Sequence, residues 1–96
     1  MSMSAALPAT VTMDEARAAV HALEPAVGEG QGPLVIDATA LETFDSAAIA
    51  ALLELRRQAQ AAGRRLQVHG APAPMVELAG LYGVAELLDF QSTRGA

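Results

Sequence analysis

PLVIDATALETFDSAAIAALLELRRQAQAAG, residues 33–63, is the stretch whose reading decides the fold. LVID, residues 34–37, is continuous, aliphatic and β-branched at its centre, the composition of a strand buried on both faces beneath helices. ATALET, residues 38–43, reads as loop. From Ser46 to about Ala62 the apolar residues recur at helical spacing, and Ala48, Ile49, Leu52, Leu55 and Ala59 share one face. Gly63 stands where helices commonly stop. A strand therefore hands over to a helix through a loop that ends in Phe44, Asp45 and Ser46.

The flanking segments repeat the alternation. LPATVTM, residues 7–13, favours a strand, with Pro8 assigning it to an edge or a strand start. MDEARAAVHALEPAV, residues 13–27, is helical: Thr12 or Asp14 caps it, Asp14 and Glu15 suit its positive end, and Ala16, Ala19, Val20, Leu23 and Val27 give the spacing. Pro25 falls in its last turn, and GEGQGP, residues 28–33, is a turn. Downstream, RLQVH, residues 65–69, alternates Leu66 and Val68 against Gln67 and His69. GAPAP breaks the chain, and PMVELAGLYG, residues 74–83, gives a short helix with Met75, Leu78, Ala79 and Tyr82 at helical spacing. VAELLDF then closes the core through Leu87, Leu88 and Phe90, and the tail QSTRGA frays. The order β-α-β-α-β-α-α predicts an α/β domain with a largely parallel sheet and right-handed crossovers.

Ninety-six residues suffice for one domain and not for two cores, so residues 1–96 are read as a single domain with an ordered core over about 7–90. Aromatics make up only 3%, so Leu, Val, Ile and Ala must build the core. The net charge of −5 argues against a nucleic-acid or anionic-membrane surface, since Arg56, Arg57, Arg64 and Arg65 are read as balanced by nearby acids. The absence of cysteine removes disulfides and thiolate chemistry. AAIAALL, residues 47–53, is far too short to span a bilayer, which needs about 20 apolar residues. MSMSAALPA lacks the regions of a signal peptide, so the expected location is the cytoplasm.

Asp45 is a natural N-cap for the central helix, accepting from the backbone N–H of Ala47 or Ala48, with Ser46 as the first helical residue. In a parallel sheet this handover lies at the carboxyl ends of the strands, where ligands and partners usually bind. Ser46, Ala47, Ala50, Glu54, Arg57 and Gln58 turn away from the core face. Solvated helix faces more often carry Lys, Glu and Gln from the start, so this small-residue opening would let another protein approach closely. Alanine is also simply the best helix former, and that reading stays open here. A phosphate on Ser46 would add about two negative charges beside Asp45. Catalysis has no support. Ser46, His69 and Asp37 lack a GxSxG elbow, the two histidines have no metal-ligand spacing, and GEGQGP lacks the Lys-Ser/Thr of a P-loop. No catalytic, cofactor or metal residues are assigned.

The stretch from LVID to VAELL resembles a STAS domain, the fold of anti-sigma factor antagonists and of sulphate-transporter tails. The matching features are the apolar strand ending in Asp37 and the Asp45-Ser46 pair opening a helix. Where the family usually has glycine after DSA, this chain has Ala48. VHGAPAPMVELAGLYGVAELL resembles the MlaB type, the small STAS subunit of phospholipid-trafficking ABC transporters that maintain outer-membrane lipid asymmetry. The likeness covers roughly residues 7–90. It implies a non-catalytic subunit that binds an MlaF-like ATPase and lies peripheral to the inner membrane through that partner, without inserting. The alternative it implies is an anti-sigma factor antagonist, switched when an anti-sigma kinase phosphorylates Ser46. On either reading the contact residues are Asp45, Ser46, Ala47, Ala50 and Leu53, with Glu54 and Arg57 at the rim. Many STAS domains carry a further strand before the one read at residues 7–13, so the sheet is expected to have a weak or missing edge strand.

Overall fold

The computed structural model describes residues 5–91. The elements run β1 (Ala5–Ala6), β2 (Thr10–Val11), α1 (Met13–Val27), β3 (Leu34–Asp37), β4 (Thr43–Phe44), α2 (Ser46–Ala61), β5 (Leu66–His69), α3 (Ala73–Leu81), α4 (Ala85–Leu88) and β6 (Phe90–Gln91). The main sheet has the order β1-β3-β5-β6, and each neighbouring pair is parallel. The α/β class and the parallel sheet match the expectation from sequence.

Three local expectations are corrected. Residues 7–13 are not one strand. The edge strand is the earlier β1, extended by the Leu7 N–H donating to the Asp37 carbonyl at 2.8 Å. The edge is therefore short but present. Thr10 and Val11 instead pair in parallel with Thr43 and Phe44, so the segment read as plain loop contributes a strand of its own. Second, β3 is not buried on both faces. Leu34 and Ile36 are buried while Val35 and Asp37 are half-buried, and β5 repeats the alternation. Residues from all four helices join Leu34, Ile36, Leu66 and Val68 in one apolar cluster, so the helices form a single layer on one face. Third, Tyr82 and Leu87 are exposed, and of the residues expected to close the core Leu88 is fully buried and Phe90 half-buried. The chain then makes a further strand: Asp89 takes the left-handed conformation at φ 50°, and Phe90 and Gln91 join β5. Asp tolerates that conformation better than most residues. The rest of the tail, from Ser92, lies outside the described residues.

The helix phase of α2 is as the sequence predicts. Ala48, Ile49, Leu52, Leu55 and Ala59 are all buried, with Leu52 and Leu55 fully so. The helix closes in a Schellman turn. The Arg64 N–H donates to the Ala59 carbonyl at 2.8 Å and the Gly63 N–H to Gln60 at 3.0 Å, with Gly63 at φ 75°. This turn directs Arg64 back across the molecule. Its guanidinium lies within hydrogen-bond distance of the carbonyls of Ala26, Val27, Glu29, Gly32 and Pro33, at 2.8 to 3.1 Å. The last turn of α1 has no basic residue of its own, so an arginine from another element satisfies its terminal carbonyls. Arg64 is therefore not charge-balanced by acids as expected. Of the other three arginines read as balanced, Arg57 and Arg65 form ion pairs, while Arg56 bonds Gln60.

Candidate functional site: the shared start of two helices

The β2–β4 pair forms where the chain enters both long helices. The N–H groups of Glu42 and Thr43 donate to the Ala9 carbonyl at 2.8 and 2.9 Å, and Val11 is fully buried beneath. This ties the loop before α1 to the loop before α2, so the two helices start abreast on the rim at the strands' carboxyl ends. Both run back antiparallel to the strands, as the parallel pairing of the strands they connect requires.

Asp45 caps both helices at once. Oδ1 accepts from the Ala47 N–H at 2.8 Å, as the sequence predicts for its own helix. Oδ2 accepts from the Met13 N–H at 3.2 Å, the first residue of α1. Each bond satisfies an orphan donor of a helix start. At the α1 start, Glu15 folds back onto Thr12. Its carboxylate accepts from the Thr12 N–H at 2.9 Å and from the Thr12 hydroxyl, and these bonds hold it below the usual carboxylate range.

Ser46 is exposed at the first position of α2. Among the described residues none hydrogen-bonds its side chain. The Ala48 methyl is buried in the core.

Behind Ser46 a groove of about 530 Å³ runs between α1 and α2, lined by Met13, Ala16, Arg17, Val20, His21 and Glu24 on one side and Ala47, Ala50, Ala51 and Glu54 on the other. Met13 is 78% exposed at its mouth. Of the residues chosen from sequence, Ala47, Ala50 and Glu54 line this groove, and Asp45 and Ser46 stand at its mouth. Leu53 packs against the core instead, and Arg57 is exposed on Glu54. At the far end Arg57 grips Glu54 at 2.6 and 3.0 Å, and Gln58 donates to it at 3.0 Å. These bonds, Arg57's first, lower the Glu54 carboxyl to about 2. The α1 half of the groove was not found from sequence. Ala16 and Val20 read as core positions; in the structure they are half-buried and line the groove, while Ala19, Leu23 and Val27 fill the core.

Asp37 accepts from the N–H and hydroxyl of Thr39 at 2.9 and 2.7 Å, which holds it below the usual range, with His69 a smaller influence. His69 lies 3.1 Å from Gln67 on the half-exposed face of the sheet. Among the described residues no group of three acidic or histidine side chains is placed to hold a metal ion. Among the described residues no helix is long and apolar enough to cross a membrane.

A family model described as Mlab, STAS domain, matches residues 6–89, which covers all the main elements from β2 to α4. No curated protein matches the chain.

Proposed function

The chain belongs to the Mlab STAS-domain family, and from that premise we propose that it is a non-catalytic subunit that binds and regulates the cytoplasmic ATPase of an ABC transporter for phospholipids. STAS domains are in general not catalysts, and such a subunit acts by binding one conformation of its partner better than another. On this reading residues 1–96 are one domain, held at the inner membrane through the ATPase.

The observation that carries the reading is the uncovered apolar surface at the doubly capped rim. Met13, Ala47 and Ala50 line a groove that opens beside exposed Ser46. Small side chains allow close approach, and a few fully desolvated residues supply most of the affinity of an interface. The contact residues are Asp45, Ser46, Ala47 and Ala50, with Leu53 beneath and Glu54 and Arg57 at the rim. Binding of the co-expressed ATPase subunit to Ser46→Glu is expected to be at least tenfold weaker than to the parent, because a charge enters an apolar contact beside Asp45. Equal affinity for a folded Ser46→Glu chain would remove Ser46 from the interface.

One observation favours a second reading. Ser46 is exposed at a helix N-terminus, where a kinase can reach it. An anti-sigma factor antagonist would use that hydroxyl as its switch, with phosphate adding charge beside Asp45. Recovery of a kinase-like anti-sigma factor in place of an ATPase, with phosphate on Ser46, would select it.

A further inference from the structure

The two helix starts that frame the site are anchored unequally. In α2 the core takes hold at once: Ala48 and Ile49, its third and fourth residues, are buried. In α1 the first buried residue is Ala19, and the buried residue before it is Val11, ahead of the helix. Between them none of residues 12–18 is buried, and only the half-buried methyl of Ala16 touches the core. Thr12 is taken up locally, its N–H and hydroxyl both donating to Glu15. Among the described residues one hydrogen bond reaches this stretch from another element, the Met13 N–H donating to Asp45 Oδ2 at 3.2 Å.

Asp45 belongs to the better-anchored helix start, and its two oxygens are divided. Oδ1 takes the Ala47 N–H at 2.8 Å and Oδ2 takes Met13. A carboxylate presents two acceptor oxygens, so one residue can serve two helices; an amide presents one. We infer, on the partner-binding reading above, that Asp45 is a positioning residue: it serves the contact through the Met13 N–H, by holding the α1 wall of the site beside Ser46, and does not touch the partner. The wall so held is Met13, Ala16 and Arg17, opposite Ala47 and Ala50. With this tie cut, α2 keeps its cap and its core contacts while the start of α1 opens locally, so the loss falls on binding before it falls on folding.

The bond can be cut from either side. Asp45→Asn keeps an acceptor for Ala47, since Asn caps well, and leaves Met13 without one. Met13→Pro removes the donor. Proline is favoured at the first helical position, and Thr12 is already extended, at φ −100° and ψ −173°, as the residue before proline prefers. Met13→Ala keeps the N–H and controls for the lost side chain. Affinity for the purified ATPase subunit is measured by calorimetry for the full chain and each variant, with Ser46→Glu alongside. Asp45→Asn is expected to bind about fivefold more weakly than the parent, Met13→Pro about fivefold more weakly than Met13→Ala, and Asp45→Asn to add less than about twofold in the proline chain. Amide exchange gives a second readout: in Asp45→Asn the Met13 N–H loses protection and the Ala47 N–H keeps it. A loss from Asp45→Asn as large in the proline chain as in the parent would mean that Asp45 touches the partner itself, and would overturn the inference. So would parental affinity in Asp45→Asn while Ser46→Glu binds weakly, an outcome that leaves the partner reading standing. If no ATPase binds the parent, or if Asp45→Asn and Ser46→Glu both bind like it, the two fall together.

Discussion

The two ends of the α1–α2 pair are held in opposite ways. At the starting end one carboxylate, Asp45, makes two bonds of 2.8 and 3.2 Å, one to each helix. At the finishing end one guanidinium, Arg64, reaches five carbonyls of the α1 terminus and the loop that follows. The starting end exposes Ser46 and opens the groove. At the finishing end the arginine occupies what would otherwise be an open seam. The difference teaches where a small domain can hold a binding surface: where the tie is light, a partner can still supply contacts of its own. Where a single cation satisfies five acceptors, any partner would have to compete with bonds already made.

Variants along the pair separate the two ends. The largest effect belongs to neither. Leu52, fully buried midway along α2, should lose about 3 kcal/mol or more as Leu52→Ala in urea unfolding. A variant as stable as the parent would mean that the helix layer is packed differently. Arg64→Ala should follow closely, at about 2–3 kcal/mol, because several carbonyls lose a charged donor together. Arg64→Lys should recover less than half, since an ammonium lacks the planar fork that spans them. Asp45→Ala should cost about 1 kcal/mol, and Asp45→Asn less, as Asn also caps well. If Asp45→Ala proved as damaging as Arg64→Ala, the contrast between a light end and a locked end would collapse. The smallest effect is in pH. Glu54 is depressed to about 2, so its contribution is present above the ordinary carboxylate range and is lost as pH falls from about 4.5 towards 2. Acid unfolding of Glu54→Gln beside the parent should show a shallower fall in that window. Identical curves would show that the Glu54 network, which borders the groove, contributes nothing to folding.

The legible parts of the fold share a cause. The phase of α2, its cap at Asp45, its stop at Gly63 and the strands at Leu34–Asp37 and Leu66–His69 all depend on residues within a turn or two of one another. The misread parts depend on distant partners. β1, β2, β4 and β6 are two-residue strands, too short for any period to show, and exist because a neighbouring strand offers its ladder. Val35 reads as buried in an aliphatic run, yet its face of the sheet has no helix layer. Tyr82 keeps helical spacing with Met75 and Ala79, but it stands just past the end of α3 and is 54% exposed.

The candidate site divides along the same line. Asp45 and Ser46 were visible because a cap and a first helical position are local events, and the resemblance to STAS domains rests on the same residues. The second bond of Asp45 joins residues 32 apart, and the bonds of Arg64 join residues 31 to 38 apart. No spacing along the chain announces such contacts. The amino-acid sequence determined the elements whose hydrogen bonds and apolar faces close within a few residues, and with them the helix start that carries Ser46. Only the tertiary structure decided which helix lies beside α2, and therefore that Met13, Arg17, Val20 and Glu24 complete the groove, because neighbours across a layer are chosen by packing and not by sequence separation.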